Sequence, residues 1–63
     1  MSQLSQAMTK IRKKVREVVG HDNVDESFFT HDRDTNQIVS NSKIDGVHFI
    51  FDVDGNLIKS HRD

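Results

Sequence analysis

Ile44-Asp45-Gly46-Val47-His48-Phe49-Ile50-Phe51-Asp52-Val53-Asp54-Gly55-Asn56 is the stretch that decides the fold. Two Asp-Gly pairs bracket one run of alternating apolar residues. Asp-Gly in that setting signals a two-residue type I′ turn, which needs φ > 0 at both central residues. A strand with such a turn at each end is the middle strand of an antiparallel meander. The flanking sequence extends the pattern to strands at about 27–33, 36–44, 47–53 and 56–61, the first of which could instead be a loop whose Phe28-Phe29 plugs the core.

The turn at Asp45-Gly46 sets a register. It pairs Ile44 with Val47, Ser42 with Phe49, Ser40 with Phe51 and Ile38 with Val53, all projecting to one face. The turn at Asp54-Gly55 adds Ile58 opposite Phe51. A large Phe opposite a small Ser leaves room for a helix. That helix precedes the sheet. Leu4, Met8, Ile11, Val15, Val18 and Val19 recur at helical spacing, with Ala7 at the edge of the stripe. Ser2 or Ser5 can cap its start, and Gly20 can end it after Arg16. The expected helix, Gln3 to Val19, is roughly 25 Å long at 1.5 Å per residue and is marginal alone, so it must pack on something. Residues 21–27 are polar and turn-prone and connect helix to sheet. The expected fold is α+β. It is one domain, residues 1–63, with an N-terminal amphipathic helix on one face of a three- to four-stranded antiparallel meander, and Phe29 completes the core.

The opposite face carries Val39 opposite Asp52, Ile50 opposite Lys59 and His48 opposite His61, joined by Leu57 and Phe28. One helix cannot cover both faces. This second face is therefore expected to be an apolar patch with a polar rim, the kind of surface through which proteins associate. A chain of 63 residues with 33% hydrophobic residues needs support. A domain this small buries only about 60% of its unfolded surface, and small scaffolds add disulfides, a metal or oligomerisation. Cysteine is absent, which excludes disulfides, thiolate zinc sites and cysteine catalysis. Association, as a dimer or with a protein partner, remains.

The net charge of −1 hides a division. Residues 1–20 hold Lys10, Arg12, Lys13, Lys14 and Arg16 against Glu17 alone; residues 21–63 hold four bases against nine acids. The acids Asp22, Asp25, Glu26, Asp32, Asp34, Asp45 and Asp54 fall near connections and turn tips, forming a rim suited to a basic partner. The five helix bases lie away from the apolar stripe. They supply the second expectation, phosphate contacts to nucleic acid. Against it, no aromatic is interleaved for stacking.

Two segments resemble each other without a gap, 29–40 and 49–60. Each reads aromatic, Asp-x-Asp, a turn, then Asn-x-Ile-x-Ser. The shared content is turn chemistry. Phe49-Ile-Phe-Asp52-Val-Asp54-Gly55-Asn56-Leu57-Ile58 also resembles the first motif of the haloacid-dehalogenase-like phosphatases. The resemblance implies Asp52 as nucleophile and Asp54 as acid/base. It covers ten residues and departs at Asn56, where the family has Thr; 63 residues leave no room for that family's parallel sheet and later motifs, so the assignment is rejected. Asp32-Arg-Asp34-Thr-Asn36 opens like a calcium loop but has Gln37 for the sixth-position Gly and Lys43 for the twelfth-position Glu. His48 and His61 lack an evident third ligand, so no metal is expected; as an interface pair they would make association pH-sensitive. With no nucleophile arrangement and no Gly-rich phosphate loop, neither catalysis nor a cofactor is expected. No apolar stretch is long enough to span a membrane or form a signal-peptide core. The sequence thus points to a cytoplasmic interaction module.

Overall fold

The computed structural model describes residues 3–62. Helix α1 spans Gln3–Val19 and leads into a short 3-10 turn, Glu26–Phe28. The strands are β1 (Phe29–Asp32), β2 (Gln37–Ser40), β3 (Val47–Asp52) and β4 (Leu57–Arg62), in the spatial order β1-β2-β3-β4 with every neighbour antiparallel. The fold is the α+β meander that the two Asp-Gly signals imply.

Helix α1 buries Ala7, Met8, Ile11 and Val15. Leu4, Val18 and Val19 are half-buried against the same cluster. Its last turn closes with the Gly20 N–H donating to Arg16 O at 2.9 Å. Ser5 lies inside the helix rather than at its cap; Ser2, the other proposed cap, lies outside the described residues. Alternation along the strands places Phe29, Ile38, Phe49 and Phe51 under the helix, all buried. Phe29 meets Phe51 edge-on at 6.0 Å between centroids, and Phe49 stacks on Phe51 at 5.8 Å. Such ring pairs add about 0.5–1.5 kcal/mol beyond their burial.

Both ends of α1 are tied to turns of the sheet. At the start, Gln3 Nε2 donates to Val53 O at 2.8 Å. At the end, His21 Nε2 and Asp45 Oδ2 lie 2.7 Å apart. The helix therefore runs the length of β3, between the turns at its two ends.

Two register details differ from the sequence expectation. The Asp45-Gly46 turn forms as expected, with φ of 50° and 81° and reciprocal Ile44–Val47 backbone bonds of 2.8 and 3.0 Å. The ladder beyond it, however, pairs Val39 with Ile50 and Ile38 with Phe51, two residues out of step with the turn. The reason is Asn41. Its N–H donates to Phe28 O at 2.7 Å, its Nδ2 donates to Ser27 O at 2.9 Å, and its Oδ1 accepts from Thr30 Oγ1. Asn41 is thus drawn toward β1, and residues 41–43 bulge out of β2. Ser40 comes alongside Phe49, whose N–H donates to Ser40 Oγ at 3.0 Å, while Ser42 is exposed. A slip of two leaves the face of every side chain unchanged, so the core assignment survives.

The second difference lies in β4. Its register with β3 shifts between Ile50 and Phe51, so that Leu57, not Ile58, faces Phe51. Leu57 is half-buried against the core; Ile58 is left without a cross-strand partner and is 51% exposed. A bulge of this kind adds one residue to one strand.

Candidate functional site

The uncovered face of the sheet is built from the strand residues that alternate with the core. Thr30, Val39, Ile50 and Lys59 form one row across all four strands. Asp32, Gln37 and Asp52 form a second, and His48 faces His61 in a third. Val39 and Ile50 are half-buried, and Lys59 and His61 are exposed. The cross-strand pairs Ile50–Lys59 and His48–His61 are those expected from the sequence. The pairing of Val39 with Asp52 is not found: Asp52 faces Gln37, because of the slip at residues 41–43.

Two residues expected on this face are elsewhere. The bulge in β4 turns Leu57 toward the helix. Phe28 sits in the 3-10 turn before β1 and lines a groove of about 400 Å³ with Arg12, Asp22, Asn23, Val24 and Asp25, on the helix side. The apolar content of the open face is therefore Val39 and Ile50, surrounded by polar groups. His48 is engaged there, with Nε2 2.9 Å from Ser40 O. A carbonyl only accepts, so that nitrogen carries the hydrogen.

The five helix bases divide between two sides of α1. Arg12 is held by its Nε donating to Val24 O at 3.0 Å, and Arg16 lies one turn further on that side. Lys10, Lys13 and Lys14 lie on the other side. With Glu17, Gly55, Asn56 and Leu57 they line a groove of about 490 Å³ that lies open between α1 and the start of β4. Lys14 pairs with Glu17 at 3.0 Å. Leu57 supplies the apolar floor, and β4 beside it is an outer strand with every residue from Ile58 to Arg62 exposed.

The Asp52-Val53-Asp54 segment is occupied with holding a turn. Asp52 Oδ1 accepts from the N–H groups of Asp54 and Asn56, both at 2.9 Å, and Oδ2 accepts from Asn56 Nδ2 at 3.2 Å. These bonds, the Asn56 N–H first, hold the Asp52 carboxyl below its ordinary value. Asp25 is lowered likewise, by the Ser27 hydroxyl and then the Ser27 N–H. Asp34 N–H donates to Asp32 Oδ1 at 3.0 Å, as Asp54 N–H does to Asp52, so the two Asp-x-Asp segments share this bond, while the left-handed residue is Asn36 in one loop and Gly55 in the other. Among the described residues no three His, Asp or Glu side chains come together as a metal site.

Val24, buried in the connection, and Asn41, the organiser of the bulge, were not singled out by sequence patterning. Val24 is the lone apolar residue in 21–27, a signal that was present. No helix among the described residues is long and apolar enough to cross a membrane. Compared with family models, curated proteins and solved structures, the chain matches none.

Proposed function

We propose that this chain is a small non-enzymatic interaction module, an adaptor, regulator or inhibitor. It presents the uncovered side of its sheet to a second copy of itself or to another protein, in the cytoplasm. One observation supports this above others: helix α1 covers one face, while Val39 and Ile50 stay half-buried on the other with the exposed Lys59 and His61 beside them. Polar-rimmed apolar contacts of this kind are what association surfaces share. The absence of cysteine agrees with a reducing compartment.

Sedimentation equilibrium over a wide concentration range tests the self-associating form. The expected result is a mass that rises toward that of a dimer, with Ile50→Lys holding the chain monomeric while circular dichroism stays unchanged. A monomer at every concentration, indifferent to Ile50→Lys, removes this surface.

A second reading, binding of nucleic acid, is favoured by one observation: Lys10, Lys13 and Lys14 share one groove. It expects affinity for a single-stranded oligonucleotide that falls steeply with salt and is lost in Lys10→Glu/Lys13→Glu. Arg12, fixed to Val24 O, and Arg16 beside it take two of the five expected contacts away from that groove.

A further inference from the structure

We propose that the outer edge of β4 is a strand-addition site for an extended acidic peptide segment, with the lysine groove receiving the side chains on one side of that strand. The proposal rests on the interaction-module reading and gives it a partner chemistry and a docking mode.

Three features meet at this edge. The first is the backbone. β4 is the last strand in the order, so one row of its N–H and C=O groups faces away from β3. It runs six residues, Leu57–Arg62, against four in β1 at the other edge. An added strand lies about 4.8 Å outside such an edge and is held by main-chain bonds, with specificity set by alternate side chains.

The second feature is shape. On the helix side, the strip where an added strand would lie continues into the groove between α1 and the start of β4. Its floor is Leu57, and Ile58 beside it is 51% exposed. Apolar side chains of an incoming strand have surface to meet there. A ligand offering only phosphates would leave this apolar surface and the strand's backbone groups unmatched.

The third feature is charge. Lys10, Lys13 and Lys14 line the groove, with Glu17 the one acid among its lining residues. Lys59 stands on the open face of the same strand, as the partner of Ile50, and Arg62 near its end, as the partner of Val47. Side chains on both sides of an added strand would thus meet cations. Lysine on an edge also repels unwanted strands. Antiparallel pairing of β4 with its own copy centred on Lys59 sets two lysines opposite each other, and like charges across a pair are destabilising. The edge disfavours a basic strand, its own copy in that register included, and favours an acidic one.

The test uses the full isotope-labelled chain and a synthetic peptide alternating Glu and Val. The expected result is saturable chemical-shift change along β4 and at Lys10 and Lys13, with slowed exchange of the β4 amides that do not bond β3. Lys10→Glu/Lys13→Glu, on exposed sites, should weaken binding about tenfold or more. A peptide alternating Lys and Val should not bind. Nor should the Glu-Val peptide N-methylated at alternate residues so as to block its bonds to β4, which keeps the charge and loses the strand pairing. The proposal is overturned if either control binds as well, if the Glu-Val peptide gives no shifts at millimolar concentration, or if oligo-deoxythymidine binds more tightly. Shifts confined to the Val39–Ile50 row as the chain self-associates, with β4 untouched by peptide, would sink strand addition and leave the interaction module standing.

Discussion

The two Asp-Gly turns at the ends of β3 carry the same dipeptide and fold differently. At Asp45-Gly46 both residues have positive φ, 50° and 81°, in a two-residue turn. At Asp54-Gly55 only Gly55 does, at 91°. There the Gly55 N–H donates to Asp52 O at 3.1 Å and the Asp52 N–H to Asn56 O at 2.9 Å, closing a three-residue loop. A turn followed by a left-handed glycine is the usual three-residue hairpin. The residue two places before the Asp-Gly decides between them. Asp52 offers a carboxylate that accepts from the N–H groups of Asp54 and Asn56. The corresponding residue of the first turn is Lys43, a side chain with no acceptor. The sequence expectation of a type I′ turn at both places is therefore corrected at the second.

The difference extends to the helix. A Cβ on Gly46 would meet nothing within 4 Å, whereas one on Gly55 would sit 2.9 Å from Ala7 O and 3.0 Å from Lys10 Cβ. The second turn is a helix seat as well as a hairpin. Gly55→Ala should accordingly be the most damaging of the turn substitutions, costing about 3 kcal/mol through left-handed strain and helix displacement together. Urea unfolding gives the value. Gly46→Ala should cost about 1–2 kcal/mol, from strain alone. Equal losses at the two sites would break the distinction.

Asn41→Ala should cost about 1 kcal/mol, by removing the side-chain bonds to Ser27 O and Thr30 that hold residues 41–43 out of β2. It sharpens the comparison, because with the bulge released the ladder can come into step with the first turn. Cross-strand proton contacts would then move from Val39–Ile50 toward the Ser40–Phe51 pairing. The second turn should not respond.

Asp52→Asn should have the smallest effect at neutral pH, and its signature is in acid. The folded Asp52 carboxyl titrates below the unfolded value of 3.8, so it contributes stability above that pH and loses it as pH falls through the folded value. Thermal melts below about pH 4 should therefore fall less steeply in Asp52→Asn than in the parent. Asp25 adds a second, independent contribution of the same sign.

What was legible in the sequence was what periodicity fixes. The stripe from Leu4 to Val19 gave the helix bounds, and alternation around Phe49 and Phe51 gave the two faces. The departures come from polar side chains bonding distant backbone. Asn41 reaches Ser27 across the sheet, and Asp52 reshapes its own turn; neither leaves a mark on hydrophobic pattern. The bulge at Ile58 moved Leu57 from the open face to the groove, a one-residue change that no alternation rule reveals. Of the expected association face, Val39, His48, Ile50, Asp52, Lys59 and His61 do lie together across the sheet. The five expected helix contacts do not, since Arg12 turns to the connection.

The central claim is that α1 shields one face of the sheet and leaves the other, with the edge at β4, open. Methyl-to-ring proton contacts in a nuclear Overhauser spectrum test it most directly. Met8 and Ile11 methyls should show contacts to the rings of Phe49 and Phe51 and none to Val39 or Ile50. Contacts from the helix to Val39 and Ile50 would contradict it.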